Sequence, residues 1–154
     1  MAGATPEERL AELGLAVPEV AAPVAAYVPA VRSGAHVFTS GQLPMRERRL
    51  ILTGKVGEEV TPEQAVECAQ QCALNGIAAV RAEIGDLALV KRVVKVVVFV
   101  ASTPDFTGQP AVANGASELL GKVFGDAGVH ARSAVGVAVL PLDAPVEVEL
   151  LVEV

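Results

Sequence analysis

The sequence predicts an α+β domain with two long helices layered on one face of a single sheet. Three observations carry that reading. Apolar residues recur at helical spacing over two long stretches, and a Val-rich run between them is apolar at almost every position. The C-terminal segment alternates apolar and acidic side chains with period two.

Thr5-Pro6-Glu7-Glu8 reads as a helix start, with Thr5 as N-cap, Pro6 in the first turn and Glu8 closing a capping box. That helix is short and stops near Gly14. Residues 16–23 are rich in Pro and Ala and form a connector. Residues 1–23 are therefore an N-terminal appendage, and residues 24–154 are the domain. Tyr27–Val31 and His36–Thr39 are β-prone runs around Ser33-Gly34, which predicts a hairpin. Leu50–Leu52 is a further short strand ending at Thr53-Gly54.

Thr61-Pro62-Glu63-Gln64 repeats the capping-box pattern and opens a helix along Val66, Ala69, Ala73, Ile77, Val80 and Ile84, with Gly85 as its C-terminal cap. Small residues on that helix (Ala69, Cys72, Ala73, Gly76) let it lie close on a sheet. Val93–Val100 reads as a strand apolar on nearly both faces. A second long helix spans residues 108–125, with Val112, Ala116, Leu119 and Val123 on one stripe. Ser133–Leu140 and Val146–Val154 are the closing strands. In the last, Val146, Val148, Leu150, Val152 and Val154 share one face, and Glu147, Glu149 and Glu153 take the other. Two helices cover only one face of a small sheet, and no sequence remains to cover the other face of Val93–Val100. Self-association is the economical solution.

The 154-residue chain is 52% hydrophobic and 19% charged, long enough for one domain with a real core of Val, Ala and Leu. Its formal net charge of −6 and its 3% aromatic content argue against a general nucleic-acid binder, which needs basic surface and stacking platforms. Arg46, Arg48 and Arg49 read as a solvated loop. Cys68 and Cys72 stand four apart in a helix, where a disulfide is geometrically poor. They read as buried reduced thiols, which fits a reducing, cytoplasmic compartment. His36 and His130 are isolated, so no metal set is expected. Residues 1–15 carry Glu7, Glu8 and Glu12 rather than an apolar signal core, and the longest apolar runs are strand-length, too short for a membrane span.

No phosphate-cradling loop, nucleophile elbow, zinc motif or dinucleotide fingerprint is present, and the scattered histidines argue against a triad. Arg132 stands out instead. By strand parity it shares a face with Ala134, Gly136 and Ala138, while Ser133, Val135, Val137 and Val139 share the other. A long cation beside very small residues suits a cleft for a small anion, since a guanidinium holds a carboxylate through two parallel hydrogen bonds. An ion pair with a neighbouring carboxylate is the other reading of the same spacing. Glu147 could serve as a general acid/base or as a water-positioning group, or could belong with Glu149 and Glu153 to a solvated face. If the last two strands form a simple hairpin, Arg132 and Glu147 lie towards opposite ends. They would then meet only across a subunit boundary, or with another strand intervening.

The ordered set Ser40-Gly41-Gln42-Leu43-Pro44, Thr61-Pro62-Glu63-Gln64-Ala65, Val93-Val94-Lys95, Val98-Phe99-Val100, Asp105-Phe106, Ala131-Arg132-Ser133 and Leu140-Pro141…Val146-Glu147-Val148-Glu149 resembles the RidA/YjgF enamine–imine deaminase family over residues 24–154. The resemblance implies a chorismate-mutase-like mixed sheet with both long helices on one face, assembled as a homotrimer with clefts between subunits. It implies hydrolysis of reactive 2-imino acids to 2-oxo acids and ammonia without a cofactor. Arg132 matches the arginine that binds the substrate carboxylate, and Glu147 the glutamate associated with the catalytic water. Tyr27, Ser40, Gly41 and Asn114 match other cleft positions. For Tyr27 and Asn114 a core-edge phenol and a helix-surface amide are the bland alternatives.

The chain departs from the family pattern at Ala134, where many members have cysteine, at Gly136, where they often have glutamate, and at His130-Ala131, which replaces Pro-Ala. These departures bear on the substrate. The alternative to catalysis is a binding or regulatory protein that uses the same cleft for a small carboxylate metabolite. Glu147 favours the first, and the missing cysteine permits the second. An RNA-cleaving role is disfavoured by the acidic charge, the few aromatics and the lack of a His pair.

Overall fold

Both capping boxes form in the computed structural model, which describes residues 3–22 and 26–154. Met1, Ala2 and Pro23 of the appendage, and Val24 and Ala25 at the start of the domain, lie outside the described residues. Glu8 N donates to Thr5 Oγ1 at 3.2 Å and Thr5 N to Glu8 Oε2 at 2.7 Å, opening α1 (Pro6–Glu12). Gln64 N and Thr61 N make the same exchange at 3.1 and 2.9 Å to open α2 (Pro62–Ile84), which stops at Gly85 with φ 86°. The second long helix, α3, runs Gln109–Phe124.

The hairpin around Ser33-Gly34 consists of β1 (Ala30–Ser33) and β2 (His36–Thr39), so its first strand begins at Ala30 rather than Tyr27. Two short strands, β3 (Met45–Arg46) and β4 (Arg49–Leu50), pair only with each other. The main sheet is completed by β5 (Arg92–Ala101), β6 (Ala131–Val137) and β7 (Val146–Glu153), in the order β1-β2-β7-β5-β6. All its pairs are antiparallel except β5 with β6, which makes the sheet mixed. The last two strands are thus no hairpin. The α3 crossover returns the chain parallel to β5 on its outer side, and residues 138–145 then carry it across the end of β5 to the inner side.

Both long helices lie on one face. Val93, Val96, Val98 and Val100 of β5, with Val146, Val148, Leu150 and Val152 of β7, are buried beneath them. A bulge between Val93 and Lys95 shifts the parity, so that both Val93 and Val96 reach this core. Gly76 permits the close approach of α2, since an added Cβ would stand 2.7 Å from Leu150 Cδ1. The N-terminal helix shares the core: Leu10 is buried, and Arg9 Nη1 donates to the Val123 carbonyl of α3 at 3.4 Å. No described helix is long and apolar enough to cross a membrane.

No described element covers the opposite face. Val31, Phe38 and Val135 there are 51%, 49% and 44% exposed, alongside half-buried Val97, Phe99 and Leu151. A small second cluster (Ala101, Leu140, Ala144, with Leu43, Leu50 and Val137) closes only one end of this face.

Candidate functional site

The residues singled out by sequence fall into two groups on opposite faces of the sheet. The first surrounds Glu147. Gln42 continues past β2 to exchange two backbone hydrogen bonds with Val148, at 2.7 and 3.0 Å, which lays Gly41 against the start of β7. Gly41 leaves room for the Glu147 carboxyl group: a Cβ would stand 2.8 Å from its carbon and nearer still to Oε1. Ser40 ties this segment to the preceding loop, its Oγ donating to the Val28 carbonyl at 2.6 Å and its N–H to the Pro29 carbonyl at 2.8 Å. Tyr27, at the head of that loop, lines a cavity of about 50 Å³ with Pro29, Gly41, Leu43 and Leu142. Glu147 itself is half-buried on the open face beside Phe99. Burial, helped by the charge of Glu149, pushes its carboxyl group above the usual range.

The loop before β7 is strained. Leu142 and Asp143 both adopt φ 59°, a conformation costly for residues with a Cβ and concentrated at functional sites. It is held by an ion pair from Lys55 to Asp143 and by the Gly54 N–H donating to the Asp143 carbonyl at 2.9 Å. Sequence reasoning missed this clamp, because Lys55 and Asp143 meet only through the fold.

The second group surrounds Arg132, on the helix side of edge strand β6. Arg132 Nη1 donates to Asn114 Oδ1 at 2.8 Å and to Ser117 Oγ at 3.1 Å, and Nη2 lies 3.4 Å from the Pro110 carbonyl. The ion-pair reading does not hold, since every described partner is neutral. Both Nη1 hydrogens are used. Among the described residues none takes Nε–H, and Nη2 keeps a second hydrogen besides the one it gives to the Pro110 carbonyl, so Nε and Nη2 retain two donors for a carboxylate. Ser117 was not singled out by sequence, although its position three after Asn114 places both on one helix face. The row of small residues beside Arg132 is partly filled: a Cβ on Gly136 would meet Gln109 Nε2 at 2.8 Å and Ser102 Oγ at 3.1 Å. Gln109 is held there by the Phe106 carbonyl at 2.8 Å.

The two groups do not meet within one chain. Arg132 pairs with Val96 of β5 and faces the helices, whereas Glu147 pairs with Phe99 and faces away. Three residues along β5 and two strand spacings separate their Cα atoms by about 14 Å, with the sheet between the side chains. The remaining candidates behave structurally. Cys68 and Cys72 are free and buried. Arg46 pairs with Glu67 at 3.5 Å and Arg48 with Glu19 at 3.9 Å. Among the described residues no cluster could hold a metal ion.

Comparison with known proteins gives a consistent picture. The family described as "YjgF/chorismate mutase-like, putative endoribonuclease" matches residues 7–154. Protein TCP17 of Trypanosoma cruzi is 49% identical over 145 residues, covering 94% of this chain and 91% of that one. A 2-iminobutanoate/2-iminopropanoate deaminase of Dermatophagoides farinae is 34% identical over 139 residues, covering 90% and 93%. Among solved structures, a protein of unknown function from Agrobacterium tumefaciens superposes with a TM-score of 0.91 at 47% identity, covering 97% of this chain and 92% of that one.

Proposed function

The chain belongs to the YjgF/RidA family, and from that premise we propose that it hydrolyses 2-imino acids to 2-oxo acids and ammonia. The observation that carries the proposal is the guanidinium of Arg132. Its Nη1 end is fixed by Asn114 and Ser117, and Nε–H with the second Nη2 hydrogen is left for a ligand carboxylate. A protonated imine is already electrophilic, so little machinery is needed beyond orientation and modest proton transfer. Water adds to the imine carbon and gives a proton to the Glu147 carboxylate, forming a carbinolamine. The same proton then goes to the amino nitrogen and the C–N bond breaks; the hydroxyl gives its own proton to the freed Glu147 carboxylate as it collapses to the carbonyl, and ammonia takes that proton away as ammonium. A carboxyl group raised above its usual range is suited to these transfers.

Because Arg132 and Glu147 lie on opposite faces of one sheet, the proposal includes a homotrimer in which one protomer's Arg132 group faces its neighbour's Glu147 group. The exposed apolar patch of Val31, Phe38 and Val135 supports such an assembly. Tyr27, Ser40 and Gly41 then line the Glu147 side of the cleft, and Asn114 the Arg132 side. The endoribonuclease wording of the family description finds less support here. Within one chain the two histidines sit on β2 and just before β6, with β7 and β5 between them, and so form no acid–base pair there.

The test generates 2-iminopropanoate enzymatically and follows 2-oxo acid release with and without the protein. Acceleration that disappears in Arg132→Ala, with an unchanged oligomer, is the expected result. Absence of acceleration across several imino acids sinks the deaminase reading. If 2-oxobutanoate still binds in that case, the chain is a carboxylate-binding protein.

A further inference from the structure

We infer that His130 is a positioning residue that acts through Ser117 to orient Arg132. The inference rests on Arg132 being the carboxylate clamp, but its geometry is independent of the reaction. His130 immediately precedes β6, and its two ring nitrogens have different partners. Nδ1 lies 2.6 Å from the Gly128 carbonyl, and Nε2 lies 2.9 Å from Ser117 Oγ. A carbonyl only accepts, so Nδ1 carries the proton, and the other nitrogen of the uncharged ring must accept. The Ser117 hydroxyl therefore donates to Nε2. Its oxygen lone pairs are turned towards Arg132, whose Nη1 donates to it at 3.1 Å. The result is a one-way chain of donors: Arg132 to Ser117, Ser117 to His130, His130 to the Gly128 carbonyl. Bonds aligned in one direction polarise one another.

Two features show that this arrangement is built rather than incidental. A serine inside a helix either turns its hydroxyl back to the carbonyl four residues earlier or points it to solvent. Ser117 is such a residue, and His130 supplies the acceptor that draws its proton outward. The carbonyl at the far end is placed by Gly128, which packs so tightly on α3 that a Cβ would stand 2.8 Å from the Leu120 carbonyl carbon. Asn114 takes the second Nη1 hydrogen. Between them, Ser117 and Asn114 fix the plane of the guanidinium and direct its Nε/Nη2 edge to the ligand. Without His130 the Ser117 hydroxyl swings back to its own helix, and one of the two anchors weakens.

The experiment uses the full-length protein and begins with the histidine itself. Long-range nitrogen–proton NMR of the imidazole at pH 8 is expected to show His130 protonated on Nδ1. An Nε2–H tautomer overturns the proposal whatever the variants do. The dissociation constant of 2-oxobutanoate, the product of 2-iminobutanoate hydrolysis, is then compared across variants. Ser117→Ala removes both links made by the hydroxyl and His130→Ala the outer one; each is expected to weaken binding about five-fold or more. Combining them should give little further loss, and Ser117→Thr, which keeps the hydroxyl, should restore wild-type affinity. Wild-type affinity in both alanine variants, or full additivity of their losses, refutes the coupling. Arg132→Ala separates the two readings. If it binds 2-oxobutanoate as wild type does, the clamp fails, while the tautomer still reports on the His130–Ser117 link.

Discussion

Replacing Gly41 by alanine puts a methyl group where the Glu147 carboxyl group now lies. The added Cβ would stand 2.8 Å from Cδ and 3.1 Å from Cγ of Glu147, against the 3.4 Å at which ordinary contact begins. The carboxylate must retreat by about 1 Å, and misplacement of that size costs on the order of 100-fold in rate. The fold should scarcely notice. The obstacle is the far end of a flexible side chain, and Gly41 is not in the left-handed region. Restricting the unfolded chain stabilises Gly→Ala by about 0.4–1 kcal/mol. Pushing Glu147 off its preferred rotamer costs about 0.5–1.5 kcal/mol, so Tm should stay within about 4 °C of wild type. The assay is kcat/KM for 2-iminopropanoate alongside a thermal melt. Full activity at an unchanged Tm would falsify the role given to the Glu147 carboxylate. A large drop in Tm would show that Gly41 serves the fold rather than the acid.

Further outcomes follow from the same geometry. Arg132→Ala and Glu147→Gln should each be inactive. Unfolding and refolding them together in equal amounts should recover about a quarter of the wild-type sites, because each intersubunit cleft then has that chance of drawing an intact Arg132 and an intact Glu147. No recovery in a properly assembled mixture would place both residues in one protomer's site. Glu147 is raised first by burial and then by Glu149, so Glu149→Gln should move the acid limb of the pH–rate profile to lower pH. An unmoved limb denies the coupling. A raised carboxyl pKa stabilises the fold only below the unfolded value, and that contribution is lost as pH rises through the folded one. Glu147→Gln should therefore raise Tm near neutrality, with the gain vanishing in acid. Burial pushes the Cys68 thiol up to about 12 and Cys72 well above the ordinary range. Both should resist a thiol reagent at neutral pH until guanidinium unfolds the chain, and rapid native labelling would contradict their burial.

What sequence alone determined here is what depends on near neighbours along the chain. Thr5, Thr61 and their capping partners act over three residues, and the helices open where those boxes lie. Alternation along residues 146–154 assigned the valines of β7 to the core and Glu147 to the other face, because strand parity is a local property. The same parity put Arg132 on the face of Ala134 and Gly136, and the motif order pointed to both residues as cleft members. The uncovered sheet face was legible too, from counting the helices available to cover it.

Tertiary structure decided the rest. That β5 separates β6 from β7 depends on pairings between residues some fifty apart, which no local pattern encodes. That order puts Arg132 and Glu147 on opposite faces of the sheet. The partners of Arg132 were equally hidden. Spacing left a carboxylate ion pair open, whereas the crossover brings Asn114 and Ser117 of α3, and through Ser117 the ring of His130, to the guanidinium. Composition tells which groups can hydrogen-bond. Only the packing of α3 on the sheet decides which donors meet which acceptors, and so which edge of Arg132 is left for a ligand.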